Sequence, residues 1–439
     1  MEKSYWYKDS VIYQIYPLSF KDSNSDGYGD IRGIISKLDY IKTLGIDAIR
    51  LFQLFDASSL YTISPNIGTT NDLKELIDEC HKINLKVILD IPVYDESIEL
   101  IENIKELISL KVDGFILCIK TLKNKKIFNI LNESIFKERD LFITVEPYNK
   151  KYLKNDNIDT IIDYSIFKSD TKFNNQFLKR KFNLIKLKKG LFKNQIKYFN
   201  KYSSALILEN INSQRSNSRF GINYHDYWFE ATTMLPLITY FTKGIPFIYQ
   251  GQEIGIINTP FTRIEELKDP LSISTYNKLL KIFKPKKAFE IVKSSASDNV
   301  RTPMQWNQSA HSGFSDITPW MMVNPTYPLI NLYVDQNIDN SIYYFYKDLI
   351  RIRKNNSVFL NGNIKEYNHL NKYIIVYKRY EEDEVFVISN FSDKQHNYKL
   401  PKEIRNKNLS VLISNYKDND INNNSINLRP YEALLIKVE

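Results

Sequence analysis

The sequence has little cysteine: Cys80 and Cys118 are the only two in 439 residues. Small secreted proteins that depend on disulfides carry several cysteine pairs, so this scarcity argues against a disulfide framework and suits a reducing compartment. Cys80 falls in a predicted helix and Cys118 in a predicted strand. We therefore expect both to be buried, free thiols.

Long apolar runs are also missing. The first ten residues, MEKSYWYKDS, hold no apolar core of signal-peptide length, and no later run approaches the roughly 20 residues of a membrane-spanning helix. These absences argue against secretion and against an integral membrane protein. We expect a cytoplasmic protein without a membrane span.

No signature of a nucleic-acid-binding module accompanies the formal net charge of +9. The most basic segment, residues 179–197, places Leu184, Leu187 and Leu191 at helical spacing between its lysines. That pattern is typical of an amphipathic helix with a solvated basic face. A bias towards Lys, Asn and Ile along the whole chain also raises the charge. We predict no nucleic-acid partner.

The chain does contain a regular alternation of strand-like and helix-like segments. Eight apolar strands that alternate with helices predict an α/β fold of the closed (β/α)8 kind, a TIM barrel, rather than an open sheet. For the helix over 72–84 we predict Thr70 or Asn71 as the N-cap. The predicted strands cover 11–16, 47–52, 86–91, 114–119, 141–145, 160–163, 205–208 and 246–249, and the predicted helices 31–44, 72–84, 97–110, 125–137, 177–199, 226–242 and 342–353.

Two regions depart from that alternation. The loop over 250–340 is far longer than an ordinary connection, so it should carry short helices and cover the barrel mouth. After residue 357 the pattern changes to short alternating strands with Asn-rich turns. We predict a barrel domain over 1–356 and a small C-terminal all-β domain, a β-sandwich, over 357–439.

The segment 112–120 is predicted to be a parallel strand buried on both faces. Phe115 and Leu117 would face one way, and Ile116 and Cys118 the other. The carboxyl end of this strand should therefore point at the mouth of the barrel.

Four long motifs stand out along the chain: Tyr13-Gln-Ile-Tyr-Pro17, Asp22-Ser-Asn-Ser-Asp-Gly-Tyr-Gly-Asp30, Ile245-Pro-Phe-Ile-Tyr-Gln-Gly-Gln-Glu253 and Arg301-Thr-Pro-Met-Gln-Trp306. In this order they resemble glycoside hydrolase family thirteen, specifically its oligo-1,6-glucosidase and α-glucosidase branch. The resemblance runs from about Trp6 to the C-terminus and implies a catalytic TIM barrel, an inserted B domain after the third strand, and a C-terminal β-domain.

The chain departs from the family at the positions of the catalytic carboxylates. The family consists of retaining enzymes, which use a nucleophile and a general acid roughly 5 Å apart, and it adds a third, stabilising carboxylate. The resemblance places Cys118 at the nucleophile position and Asn212 at the stabiliser position, beside Ile211 where the family has histidine. Glu146 could serve as the general acid if one residue has been deleted.

The inserted domain is also reduced. Only about twenty residues separate Asp90 from Asp113, enough for a single barrel helix. In the family this domain forms one wall of the substrate cleft. We predict a TIM barrel that lacks most of the B domain and has a more exposed site.

The loop over 22–30 carries oxygen ligands at alternating positions: Asp22, Asn24, Asp26 and Asp30, with the Tyr28 carbonyl among them. Such a set suits a hard cation, although taken alone it is more typical of an Asx-rich turn. The resemblance to the family's calcium loop implies a structural Ca²⁺ ion.

Tyr61 and Arg215 match sugar-contacting positions of the family, although both could simply pack the barrel rim.

Three functions remain open. The first is an inactive homologue acting as a regulatory or scaffold subunit, paired with an active paralogue or another protein. The second is a non-catalytic protein that binds an α-glucoside or oligosaccharide. The third is a weak or altered α-glucosidase that uses Glu146. Losing even one catalytic carboxylate typically costs several orders of magnitude in rate, so we favour an inactive protein.

Overall fold

Eight parallel strands close into a barrel, which confirms the predicted TIM barrel. The computed structural model describes residues 5–56, 62–93, 98–119, 131, 140–146, 158–173, 175–198, 203–220, 226–422 and 424–439. Strand 8 pairs with strand 1, placing Phe247 opposite Ile12. In chain order, barrel strands 1 to 8 are Ile12–Ile15, Ala48–Leu51, Lys86–Val93, Gly114–Ile119, Phe142–Glu146, Thr160–Ile162, Ser203–Ile207 and Ile245–Tyr249.

The inside of the barrel is a packed core. Outward-facing residues of the same strands, such as Phe115 and Leu117, pack instead in the cluster between the barrel and its helices. This alternation follows from the two-residue repeat of a strand. The inner apolar layer contains Ile12, Ala48, Ile88, Ile116, Phe142, Ile162, Ala205, Ile207, Ile245 and Phe247.

Helices surround the barrel. The helix predicted over 31–44 is in fact two helices, and the one predicted over 125–137 lies outside the described residues except for Leu131. The described helices outside the long loop are Ile31–Ile35, Leu38–Leu44, Thr70–Lys82, Ile98–Ser109, Leu184–Tyr198, Ser216–Arg219, Trp228–Tyr240 and Ile342–Lys354.

The N-cap predicted for the third of these helices was wrong by one residue. Thr69, rather than Thr70 or Asn71, caps it: the Thr69 hydroxyl accepts a hydrogen bond from the Asp72 backbone, and the Asp72 carboxylate accepts one from the Thr69 backbone. This reciprocal pair is a capping box, which fixes the start of the helix.

The helix predicted over 177–199 was wrong in its first part. The chain there forms an antiparallel hairpin, Thr171–Lys172 with Asn175–Lys179, and the helix begins only at Leu184. The hairpin turn uses Phe173 at a φ of 51°, a conformation that apolar periodicity alone does not reveal.

The basic face of that helix is not wholly solvated, contrary to the prediction. Lys188 is buried, and its ammonium group donates hydrogen bonds to the backbone carbonyls of Asn368 and Asn371, both at 2.8 Å. These carbonyls belong to the C-terminal region of the chain. The lysine therefore ties the barrel to the following domain.

The connection between strands 3 and 4 holds one described helix, Ile98–Ser109. This connection extends only from Val93 to Gly114, so the barrel lacks most of the B domain, as predicted.

Among the described helices, none is both long enough and apolar enough to cross a membrane.

The long loop after strand 8 folds against the barrel through hydrogen bonds to the segment after strand 1. The Met304 backbone donates to the Ser19 carbonyl at 2.8 Å, and the Trp306 indole donates to the Phe20 carbonyl at 2.7 Å. As predicted, the loop carries short helices of its own, at Pro270–Leu279, Pro285–Lys293, Asp298–Arg301 and Leu332–Gln336.

The C-terminal region is built entirely from antiparallel sheets. A two-stranded sheet packs on one face of a five-stranded sheet, and Val376, Phe386 and Ile436 lie in the apolar core of this region. The domain boundaries predicted from the sequence stay predictions. The larger sheet contains Asn363–Tyr367, Ile374–Tyr380, Glu384–Asn390, Ala433–Val438 and Leu409–Ser414, and the smaller one His396–Lys399 and Ser425–Leu428.

Candidate functional site

A polar layer lies beyond the inner apolar layer, at the carboxyl ends of the first five strands. Side chains two or four residues further along each strand face inward again, because side-chain direction alternates. In a TIM barrel this end is where catalytic groups are placed, so these residues form the candidate site. They are Gln14, Arg50, Asp90, Cys118 and Glu146.

Arg50 is the centre of this layer. Its guanidinium is fully buried and donates two hydrogen bonds to the Asp90 carboxylate, from Nε at 2.7 Å and from Nη2 at 2.9 Å. Nη2 also donates to the Glu146 carboxylate, and Nη1 donates to the Gln14 amide oxygen at 3.1 Å. One cation therefore holds both carboxylates of the layer.

Both carboxylate oxygens of Glu146 accept hydrogen bonds. One accepts from Arg50, and the other accepts from the hydroxyl of Tyr164, which follows strand 6. The structure thus places the predicted general acid in an ion pair.

Asp90 shares this buried environment. The pKa of its carboxyl is raised to about 6: burial is the main cause and the neighbouring Glu146 carboxylate adds to it, while the Arg50 guanidinium opposes both effects.

Cys118 lies beside both carboxylates. Its sulfur is 3.7 Å from an Asp90 oxygen, and its backbone is the register partner of Glu146. Burial raises the pKa of the Cys118 thiol well above its usual value, and the two carboxylates raise it further. The group is a neutral thiol at pH 7, and a thiol is a far weaker nucleophile and metal ligand than a thiolate.

The ligand atoms of Asp90, Cys118 and Glu146 lie within 4.8 Å of one another, the one such group of three among the described residues. Arg50 already supplies the positive charge that a metal ion would bring. The cluster therefore fits a metal ion poorly.

An apolar cluster borders the ionic layer. The Arg50 guanidinium lies 4.0 Å above the Phe52 ring, and Phe52 packs with Tyr16, Ile211 and Tyr249 in one buried group. The position at which the family has histidine is thus filled by an apolar side chain in a buried cluster.

Asn212, next in the chain, is bound to the long loop. Its side-chain oxygen accepts a hydrogen bond from Arg301 at 3.0 Å, and Arg301 also donates to the Ile211 carbonyl at 3.0 Å. The amide carries no charge, so this position adds a hydrogen-bonding group and no third carboxylate.

Arg215 is fully buried in the barrel wall. Its Nη1 donates to the Glu209 carboxylate at 3.0 Å and to the Gln250 carbonyl at 2.8 Å, and its guanidinium lies 5.6 Å from the Tyr249 ring centre. Nε and Nη2 have no hydrogen-bond partner among the residues that the structure describes. Contact between Arg215 and a sugar stays a prediction, and the predicted sugar contact Tyr61 lies outside the described residues.

The predicted calcium loop closes on itself through hydrogen bonds. Each Asp22 oxygen accepts two: Oδ1 from the amides of Asn24 and Ser25, and Oδ2 from the Gly27 amide and the Ser315 hydroxyl. Burial raises the pKa of Asp22, but these hydrogen bonds outweigh it and leave the pKa below the ordinary value.

Other oxygens of that loop keep free acceptor capacity. Each Asp26 oxygen accepts a single hydrogen bond, and Asp30 has one oxygen in the same state while it caps the helix that follows. Asn24, Asp26 and Asp30 therefore fit a cation, and Asp22 does not in this arrangement. Calcium binding stays a prediction.

The sequence did not point to Arg50, Asp90, Gln14 or Tyr164 as site residues. The available signal was a polar or charged residue at the last inward position of an apolar strand. That rule would have selected Gln14, Arg50 and Asp90, whereas Tyr164 lies beyond its strand and gave no such signal.

Comparisons with known proteins agree with this architecture. A family model described as the α-amylase catalytic domain matches residues 14–108 and 109–362, and one described as the α-amylase SusG C-terminal domain matches 374–435. The chain is 30% identical to an oligo-1,6-glucosidase of Bacillus cereus, with all of both chains covered. That alignment spans 569 positions, so the relative contains segments that this chain does not.

Two further proteins align with nearly the whole chain. A glucan 1,6-α-glucosidase of Streptococcus pneumoniae is 26% identical, with 99% of both chains covered. The crystal structure of Bacillus licheniformis trehalose-6-phosphate hydrolase superposes with a TM-score of 0.91 at 26% identity, again over 99% of both chains. The family model covers most of this chain, and the similarity extends over its full length. The chain therefore belongs to the α-amylase catalytic-domain family, glycoside hydrolase family thirteen.

Proposed function

We propose that this chain is a catalytically inactive member of its family that binds an α-glucoside or regulates a partner protein and does not hydrolyse glycosides. One observation supports this most strongly: Asp90 and Glu146, the carboxylates of the polar layer, are both ion-paired to Arg50. The nucleophile position implied by the family resemblance holds the neutral thiol of Cys118.

Retaining hydrolysis requires a protonated acid that can reach the glycosidic oxygen and an ionised carboxylate that can attack the sugar. Both Glu146 oxygens are held by hydrogen bonds from Arg50 and Tyr164, so the group would have to leave these partners to act as an acid. At the stabiliser position, Asn212 brings no negative charge to an oxocarbenium-like transition state. Each of the three roles is therefore unfilled.

The test is hydrolysis of p-nitrophenyl α-glucoside and of isomaltose by the full chain and by Glu146→Gln, with an active oligo-1,6-glucosidase as the assay control. We expect both proteins to release product at the rate of buffer alone. A wild-type rate that falls at least tenfold in Glu146→Gln would show that the protein is an enzyme.

A ligand for the inactive protein is suggested by its relatives, which include oligo-1,6-glucosidases. We propose an α-glucoside or oligosaccharide as that ligand. Titration calorimetry with isomaltose and maltose should give saturable binding that Glu146→Gln leaves unchanged, because both oxygens of Glu146 are engaged with Arg50 and Tyr164. Flat titrations with both sugars would leave the regulatory role, for which an active paralogue should co-purify with the chain.

The separation of the carboxylates favours a second candidate, a weak or altered α-glucosidase. Ligand atoms of Asp90 and Glu146 lie within 4.8 Å, close to the spacing of a retaining pair. Such an enzyme would have to move Arg50 away from both groups. It requires that Asp90→Asn and Glu146→Gln each abolish a measurable wild-type rate, whereas the inactive protein has no rate to lose.

A further inference from the structure

A strongly basic turn joins the first two helices of the long loop. Residues 278–287 read Lys-Leu-Leu-Lys-Ile-Phe-Lys-Pro-Lys-Lys, which is five lysines in ten positions. We call this segment the basic turn. Its residues are solvent-exposed apart from the half-buried Leu279.

The two helices that flank the basic turn supply no acidic group that neutralises its charge. No Asp or Glu occurs between Asp269 and Glu290. Asp269 is buried and caps its helix by accepting from the Ser272 backbone at 3.0 Å, and Glu290 pairs with Lys293 at 2.9 Å. The five lysines therefore form a local excess of positive charge.

Large apolar side chains lie between the lysines and face solvent. Ile282 is 74% exposed, and Leu280 and Phe283 are each 40% exposed. The adjoining helix face adds Ile273, which lines a shallow surface depression together with Lys278 and Lys281. Exposed apolar groups that are clustered in this way mark an interaction surface.

The inner side of the turn packs against a buried cluster, so poor packing does not explain the exposed apolar side chains on its outer face. Phe289 and Val292 of the second helix are buried with Phe261, and Tyr276 and Leu279 of the first helix pack against that cluster. Within the turn, the amides of residues 282 and 283 donate to the Leu279 carbonyl at 2.9 and 2.8 Å. The fold thus presents the lysines and apolar tips on a fixed support.

We propose that the basic turn docks this protein on the surface of an anionic lipid bilayer. Lysines attract anionic headgroups, and the apolar tips of Leu280, Ile282 and Phe283 enter the boundary between headgroups and acyl chains. Nucleic acid fits the pattern less well, because the turn has no arginine and Phe283 is the one aromatic ring among its exposed apolar side chains on which a base could stack. The lysine stems also reach apolar surroundings while their charges stay in water.

The experiment is co-sedimentation of the full chain with vesicles of 70% phosphatidylcholine and 30% phosphatidylserine, and with vesicles of phosphatidylcholine alone, at 0.1 M salt. We expect binding only to the anionic vesicles. The triple variant Lys281→Gln/Lys284→Gln/Lys286→Gln should weaken partitioning by about 100-fold, since each lysine near such a surface contributes roughly fivefold. Ile282→Ser should weaken it by about tenfold.

Matched controls lie on the C-terminal domain. Lys399→Gln/Lys402→Gln/Lys407→Gln removes three exposed lysines, and Leu370→Ser removes an apolar side chain that is 68% exposed. Both should bind anionic vesicles like the wild type, and all variants should match it in melting temperature.

Three results would overturn the proposal: no binding to anionic vesicles, equal losses in the control variants, or an Ile282→Ser variant that binds as the wild type does. A fourth would replace it with a nucleic-acid surface, namely tight binding of a 30-nucleotide single strand that the lysine triple abolishes and Ile282→Ser does not affect.

Discussion

Arg50 is the residue on which the charge balance of the barrel centre depends. It is the partner of both Asp90 and Glu146, and its side chain is fully buried. Removing one partner of a buried ion pair is strongly destabilising, whereas replacing all of the paired side chains with neutral ones of similar size often is not.

We expect Arg50→Met to lower the free energy of unfolding by about 3–5 kcal/mol, because it removes the cationic partner of the buried Asp90 and the half-buried Glu146 carboxylates. Urea denaturation followed by circular dichroism measures this. The triple variant Arg50→Met/Asp90→Asn/Glu146→Gln removes the charges as well and should recover most of the loss. An Arg50→Met protein as stable as the wild type would contradict the assigned ion pairs.

At this scale, the sequence predicted that Cys118 shares a strand face with Ile116 and that Cys80 is buried, because the alternation of a buried strand and the spacing of a helix determine them locally. It did not predict the contacts of Arg50. Those contacts depend on which residues of three separate strands lie at the same height in the barrel. That height is set by the register between strands, which the sequence of a single strand does not determine.

Among the elements, the helix Leu184–Tyr198 joins the two parts of the chain. It packs on the barrel through Leu184, Leu187 and Leu191, and its Lys188 donates to three carbonyls beyond the barrel, at Asn368, Asn371 and Ile374. Hydrogen bonds made by a charged donor contribute more than neutral ones.

We expect Lys188→Met to lower the free energy of unfolding by about 2–3 kcal/mol, since buried carbonyls lose a charged donor. The exposed neighbour gives a matched control, as Lys189→Met should change stability by no more than about 0.5 kcal/mol. Urea titrations of both variants make the comparison. Equal stability of the two would mean that Lys188 does not join the domains.

The burial of that lysine also shows why sequence patterns predicted elements better than their contacts. Leucine spacing located the helix and its buried face correctly. The same pattern assigned every lysine to solvent, because a periodicity that sorts residues into two faces cannot detect carbonyls supplied from nearly two hundred residues away. The strand over 114–119 was predicted with its observed bounds, because Asp113 limits its apolar run and an unbroken apolar run is a local feature of the sequence.

For the molecule as a whole, the loop over 22–30 links distant parts of the chain. Asp22 accepts from Ser315, and the Gly27 carbonyl accepts from the Trp320 backbone at 2.9 Å. We propose that Asn24, Asp26 and Asp30 of this loop take a Ca²⁺ ion, which would strengthen the contact between the start of the barrel and the long loop.

If so, 1 mM Ca²⁺ should raise the melting temperature by a few degrees and EDTA should reverse the change, because a ligand at 100 times its dissociation constant adds about 2.7 kcal/mol to the native state. Differential scanning fluorimetry measures the shift. Asp26→Asn should lose most of it, since a charged ligand is replaced by a neutral one. An unchanged melting temperature in calcium would mean that the loop is only an Asx-rich turn.

The ionic layer also limits which groups can be placed at Cys118. Arg50 balances one of two carboxylates, so the layer already holds one excess negative charge, and an aspartate introduced at Cys118 would bring this to two in a buried setting. Under the proposed inactive function, Cys118→Asp alone would therefore not create hydrolysis, because Glu146 would stay paired with Arg50 and Asn212 would stay uncharged.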